Sequence, residues 1–291
     1  MTKIIIILII LIIIYFIFYY VNESFENTYI LPKHIYVYWN NIEGNIIIQS
    51  HINNIKRKLP IGWTLSIIND NNLNEYVSSK FINKYKNLNS TRFSDFLRLE
   101  LLKNNGGVWL DASTIITDGT FLDKYWNEMM IYKFDATLYE FKIKTNNVKT
   151  PYLENWFIMA PKNSKLITDL YNHFNKAFQL GFLNYKKTVL IPSGVNLNGT
   201  INYGKNTYLL QHAIINYLYY IGKKYNVNIK NASESMFKIQ DKYNWDHNKI
   251  INFIINNKNW KDYYAIKLTG VTRKYINKNN MKVYINTLNK I

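Results

Sequence analysis

This chain predicts an α/β domain carried behind a membrane segment, and three observations say so. Short β-branched and aromatic runs alternate with stretches that suit helices. Residues 94–113 read as a helix, a glycine turn and a strand with no break between them. An unbroken apolar run fills the N-terminus. Strands alternating with helices imply parallel crossover units, whose ligands lie beyond the carboxyl ends of the strands.

The N-terminal run, Ile4 to Val21, is 18 apolar or aromatic residues long. At about 1.5 Å per residue it reaches ~27 Å, close to the hydrocarbon thickness of a bilayer. Its aromatic end, Tyr15 to Tyr20, suits the membrane interface, and no small-residue cleavage site follows it. An uncleaved single-pass anchor is expected. Lys3 precedes the run and Glu23 and Glu26 follow it, which favours a cytoplasmic N-terminus and a domain in a secretory-pathway lumen. The chain divides into an anchor (1–21), a short stem (22–30), one domain (31–276) and a C-terminal tail (277–291).

In the domain, His34–Trp39 reads as a buried first strand, Gln49–Lys58 as a helix and Trp63–Ile68 as a second strand. Asp70 suits the cap of a helix over 71–77. In SDFLRLELLKNNGGVWLDAS, Ser94 suits an N-cap, and Asn105, Gly106 and Gly107 suit a left-handed stop before a strand at Val108–Leu110. Asp95 and Arg98, three apart, share one helix face, and Asp111 closes the strand where an α/β sheet presents its ligands. Two carboxylates and a guanidinium can thus meet at one point. An ion pair on the helix surface, with Asp111 capping a loop, accounts for the same residues.

Composition narrows the chemistry. There is no cysteine, which excludes disulfide scaffolds, thiolate metal sites and thiol catalysis. The net charge of +17 comes from 36 basic against 19 acidic residues, yet only Arg57, Arg92, Arg98 and Arg273 are arginine. The abundance of Ile, Asn, Lys and Tyr, which share AT-rich codons, makes much of that charge a matter of composition, so no nucleic-acid partner is expected.

The combination of SDxxR with GGVWLDAS resembles the capsular polysaccharide synthesis family of glycosyltransferases, sugar transferases of the GT-A fold with a D-x-D motif, related to mannosyltransferases and glucosylating toxins. LPKHIYVYW resembles that family's opening strand, ENWFIMAPKNSKLI its Asn-Trp-Phe segment, and YAIKLTG its late strand. The resemblance implies a Rossmann-like mixed sheet flanked by helices, and transfer of a hexose from a UDP- or GDP-sugar donor to a glycan acceptor, with retention of configuration. It implies that Asp95, Arg98 and Asp111 hold the donor sugar or its diphosphate, that Tyr38 and Trp39 lie near the base, and that Asn155 lies near the sugar. His212 and Lys267 are further candidates for the donor site. Trp39 also suits the core, and Asn155 and His212 also suit buried, hydrogen-bonded roles.

Ser113 departs from the pattern, standing where D-x-D members place the second aspartate that binds Mn²⁺ or Mg²⁺. A neutral serine beside Asp111 is a weak ligand for a divalent cation. Lys267 is a candidate source of the positive charge that a departing diphosphate needs. Two other classes stay open at the level of sequence: a catalytically lapsed relative that binds glycan or nucleotide, and a basic membrane-tethered protein that binds nucleic acid or lipid.

Overall fold

The computed structural model describes residues 10–15, 29–145, 149–197 and 207–291. Residues 1–30 and 31–291 form two separate compact units. Most of the expected membrane segment lies outside the described residues; residues 10–15 are helical with exposed side chains. Among the described residues no helix is long and apolar enough to cross a membrane.

The larger unit is built on a six-stranded mixed sheet in the order β2-β1-β3-β6-β5-β7. Its strands are β1 (His34–Tyr38), β2 (Thr64–Ile68), β3 (Gly107–Leu110), β5 (Ala136–Glu140), β6 (Leu153–Ala160) and β7 (Val227–Asn231). β1 runs parallel to β2 and β3, the crossover arrangement that the alternating pattern predicts. β6 then enters antiparallel between β3 and β5, making the sheet mixed. A separate antiparallel pair joins β4 (Thr114–Ile116) to β8 (Ala265–Lys267), with Thr114 opposite Lys267.

Helices flank the sheet. Tyr36, Tyr38 and Trp109 pack into one cluster with Phe96, Leu97 and Leu101 of α3 (Ser90–Asn105), Leu170 and Phe174 of α5 (Lys165–Leu180) and Ile214 of α6 (Leu210–Tyr220). Ile35 and Val37, at the alternate positions of β1, are also fully buried, so this strand is covered on both faces. The first helix, α1 (Ile46–Arg57), has Asn45 as its cap, with Oδ1 accepting from Ile48 N at 3.1 Å. Two further helices, α2 (Ser79–Tyr85) and α4 (Thr120–Tyr132), follow β2 and β4 respectively.

Local details correct several expectations. α3 starts four residues before Ser94, because Asn89 caps it by accepting from Arg92 N at 2.9 Å; Ser94 Oγ donates back to Thr91 O at 2.8 Å inside the helix. Asp95 and Arg98 therefore sit in its second and third turns. Asp70 caps no helix: it accepts a hydrogen bond from Tyr38 OH at 2.7 Å, and only a 3₁₀ turn, Leu73–Glu75, forms in 71–77. The glycine stop is as expected, with Gly106 at φ 72° and its N–H on Leu102 O. Residues 277–291, expected as a tail, instead carry α8 (Met281–Lys290), whose Tyr284 and Leu288 are buried with Ile250 and Ile254 of α7 (His247–Asn256). The i, i+4 apolar spacing of Tyr284 and Leu288 gives α8 the face it buries.

Candidate active site

Asp111 is the first residue beyond β3, and its N–H donates to Trp156 O of β6 at 2.9 Å. The strand end thus fixes the carboxylate, and α3 lies alongside. Asp95 Oδ1 accepts from Arg98 Nη1 at 2.7 Å and Oδ2 from Arg92 Nη1 at 3.2 Å. Arg98 Nη2 continues to Asp111 Oδ1 at 3.3 Å, which also accepts from Trp109 Nε1 at 3.0 Å. On the other side of Asp111, Lys267 Nζ donates to Oδ2 at 2.8 Å and to Ser113 Oγ at 2.5 Å. Asp95 and Arg98 are more than an ion pair of the helix surface: together with Asp111 and Lys267 they form one chain of alternating charge drawn from α3, the end of β3 and β8.

Exposure separates the two aspartates. The Asp95 side chain is 7% exposed and that of Asp111 28%, so Asp111 is the carboxylate open to a ligand. Burial opposes ionisation of Asp111, but Lys267 and Arg98 more than offset it and hold its carboxyl below the usual carboxylate range. Burial pushes the Asp95 carboxyl up, with Arg98 and Arg92 acting against it. A carboxylate engaged by this many donors is a hydrogen-bond acceptor for hydroxyls rather than a ready proton acceptor.

These groups open into a cleft of ≈ 780 Å³, a size that suits a small organic ligand. Tyr38, Trp39, Asp95, Arg98, Asp111, Ser113, Asn155, His212 and Lys267 all line it, so every residue singled out from the sequence comes to one place. Tyr38 is buried, and its hydroxyl is taken by Asp70. Trp39, half-buried, lies under the Arg273 guanidinium, 5.2 Å from the ring centroid. Asn155 Nδ2 donates to Gln211 Oε1 at 2.7 Å and reaches Asp95 Oδ1 at 3.4 Å. His212 Nε2 lies 3.3 Å from Glu154 Oε2, and its ring packs 5.0 Å from that of Tyr152.

Sequence reasoning missed Arg92, Gln211, Glu154 and Arg273. Gln211 ties α6 to α3, its Nε2 donating to Asp95 O at 2.7 Å and its Oε1 accepting from Arg98 Nη1 at 3.1 Å. The scarcity of arginine held a usable signal, since three of the four serve this site: Arg98 and Arg273 line the cleft, and Arg92 pairs with Asp95. Among the described residues, five cations line the cleft (Arg98, Lys144, Lys267, Arg273, Lys274) against three carboxylates (Asp95, Asp111, Glu154). That balance suits an anionic ligand.

A divalent cation is the cofactor that the D-x-D resemblance implies, and Asp111 and Ser113 are where it would bind. Their oxygens converge on the Lys267 ammonium, and among the described residues no group of three or more His, Asp or Glu is placed to hold a metal ion. The donor set suits an ammonium and does not fit a divalent ion.

Three solved glycosyltransferases show similarity to the chain. The PaToxG glycosyltransferase is 14% identical, with 87% of each chain covered and a TM-score of 0.38. A glycosyltransferase involved in glycosylation of the PBCV-1 major capsid is 8% identical, covering 89% of this chain and 98% of that one, with a TM-score of 0.42. The apo form of GlyE from Streptococcus pneumoniae TIGR4 is 11% identical over 89% of this chain and 64% of that one, with a TM-score of 0.44. No curated protein gives a significant match. The sequence model of the capsular polysaccharide synthesis protein family matches residues 14–184, more than half of the chain, and that span holds Asp95, Arg98, Asp111, Ser113 and Asn155; the chain belongs to this family.

Proposed function

We propose that this protein is a glycosyltransferase that moves a hexose from a nucleotide-diphosphate sugar to a glycan acceptor in the cleft beyond β3. The observation that carries the reading is the charge chain Asp95–Arg98–Asp111–Lys267, in which carboxylate acceptors lie beside fixed cations, a pairing that suits sugar hydroxyls next to a diphosphate. Asp95 and Arg98 form the rigid back of the sugar subsite, Asp111 meets its hydroxyls, and Asn155 faces the same sugar. Tyr38 and Trp39 line the nucleotide end.

The sugar C1–O bond to the diphosphate breaks, and its electron pair leaves on the phosphate oxygen. The acceptor hydroxyl oxygen bonds to C1, and its proton passes to the departing diphosphate oxygen. The transition state resembles an oxocarbenium ion, so catalysis depends on orientation and on cations held in place for the leaving group. Retention of configuration is part of the proposal, as is membrane attachment through Ile4–Val21 with the N-terminus in the cytoplasm and the domain in a secretory-pathway lumen.

The test is hydrolysis and transfer by the detergent-solubilised full chain against a panel of UDP- and GDP-sugars, beside Asp111→Asn. Turnover of one donor that the substitution reduces at least about a hundredfold, on the scale of removing one charge-stabilising group, establishes the transferase. Proton NMR of the first product gives the anomeric outcome. A nucleotide that raises the melting temperature with no turnover of any sugar identifies a lapsed relative instead.

A further inference from the structure

Lys267 occupies its position by construction. β8 pairs with β4 so that Lys267 lies opposite Thr114, and Leu268 N donates to Ser113 O at 3.0 Å on the same edge. Its own N–H donates to Met236 O at 3.0 Å, and its carbonyl accepts from Gln240 Nε2. The backbone is therefore pinned on both sides, and the residue is only 6% exposed. An ammonium carries three N–H donors, of which Asp111 and Ser113 take two, and Lys267 lines the cleft. A divalent ion brought to the same two oxygens would meet that ammonium at hydrogen-bond distance. Arg273, stacked over Trp39 with Nη1 on Leu268 O at 3.2 Å, adds a second fixed cation next to this edge.

We propose that Lys267, held by Asp111 and Ser113 and backed by Arg273, is a built-in cation for the diphosphate of the donor, so that the chain binds its nucleotide without a divalent ion. The proposal rests on the glycosyl-transfer reading. In it, the Lys267 ammonium donates a hydrogen bond to a non-bridging phosphate oxygen as the C1–O bond breaks, and it keeps its proton. Ser113 follows from the same logic: a second aspartate would compete for the ammonium, whereas a hydroxyl accepts one hydrogen bond and leaves its charge free for the phosphate.

Isothermal titration calorimetry of the full chain in detergent with UDP and with GDP, each in EDTA and in Mn²⁺, tests this. The expected result is one nucleoside diphosphate whose Kd agrees within about twofold between the two conditions, as fixed protein charge requires. Lys267→Met, similar in length and without charge, should weaken binding about 10- to 100-fold, the scale of one charged hydrogen bond, and Mn²⁺ should not restore it. Lys267→Arg should keep most of the affinity. Wild-type binding that needs Mn²⁺, or binding in EDTA that Lys267→Met leaves intact, overturns the proposal while the transferase reading stands. No binding of either nucleotide under either condition removes both. The EDTA and Mn²⁺ comparison on the wild type needs no variant to fold.

Discussion

Gln211 donates from Nε2 to the main-chain carbonyl of Asp95 at 2.7 Å, across 116 residues of sequence. The same side chain accepts from Arg98 and from Asn155 through Oε1. One buried amide on α6 thus fixes three groups of the proposed sugar subsite, two from α3 and one from β6, without belonging to the cleft lining itself. Gln211→Ala leaves the Asp95 carbonyl and the Asn155 amide short of a partner, which costs about 1–3 kcal/mol of stability. Transfer should fall by about tenfold or more, because small displacements of positioned groups are expensive in rate. Urea unfolding and donor turnover, measured side by side, check both; full activity in Gln211→Ala would show that the amide only supports the fold.

Much of this site was legible because its core lies in one contiguous stretch. Residues 94–113 carry both aspartates, Arg98 and the glycine stop, and local spacing says which of them share a face. Lys267 and His212 came from weaker resemblance at later segments. Gln211 and Glu154 were not visible, since each acts through a partner that only the packing of α3, α6 and β6 supplies, whereas Arg92, three residues before Asp95 on one helix, was open to the same spacing argument. The other differences each have a particular cause. Asn89 outcompetes Ser94 as a cap, Asp70 is drawn away by the Tyr38 hydroxyl, and the antiparallel insertion of β6 is a long-range choice that no periodicity encodes.

His51 gives the fold a pH dependence. Fully buried on α1, it bonds through Nε2 to Tyr284 OH of α8 at 2.7 Å. Burial first, and then the charge of Arg273, depress its pKa to about 3 from the ordinary 6.5. The folded state therefore holds the ring neutral while the unfolded chain protonates below 6.5. Stability is complete above that value and declines as pH falls from 6.5 toward 3, by up to about 1.4 kcal/mol per pH unit from this group. Melting temperatures between pH 7.5 and 4 should show the decline, and His51→Gln should flatten it. An equal slope in the variant assigns the effect to other groups.

Gly107 opens β3 at φ +106°, and a Cβ there would stand 2.7 Å from the main-chain oxygen of His34 on β1. Both the backbone conformation and the strand spacing demand glycine. Gly107→Ala should destabilise by about 1–3 kcal/mol and, because Asp111 lies at the far end of the same strand, should also lower turnover. Gly62, at φ +84° with nothing within 4 Å, provides the control. Gly62→Ala meets only the conformational penalty, about 1 kcal/mol, and should leave turnover unchanged. Chemical denaturation of the two variants separates conformation from close approach.

The two aspartates should differ in what they do for stability. Asp95→Asn leaves Arg92 and Arg98, with side chains 10% and 5% exposed, facing a neutral amide. Guanidinium cannot shed its proton, so Arg92 stays buried after losing its carboxylate partner while Arg98 keeps only Asp111, and a loss of about 3–5 kcal/mol follows. Asp111→Asn also strands a buried cation, Lys267, but an ammonium can give up its proton when burial penalises the charge, and Asp111 itself is partly open to water. Its cost should be smaller, about 1–2 kcal/mol. Donor turnover should collapse in both, while the urea midpoint falls much further for Asp95→Asn. A larger loss for Asp111→Asn would mean that Lys267 stays charged without its partner, and that the strand-end carboxylate, rather than the helix pair, holds this corner of the fold together.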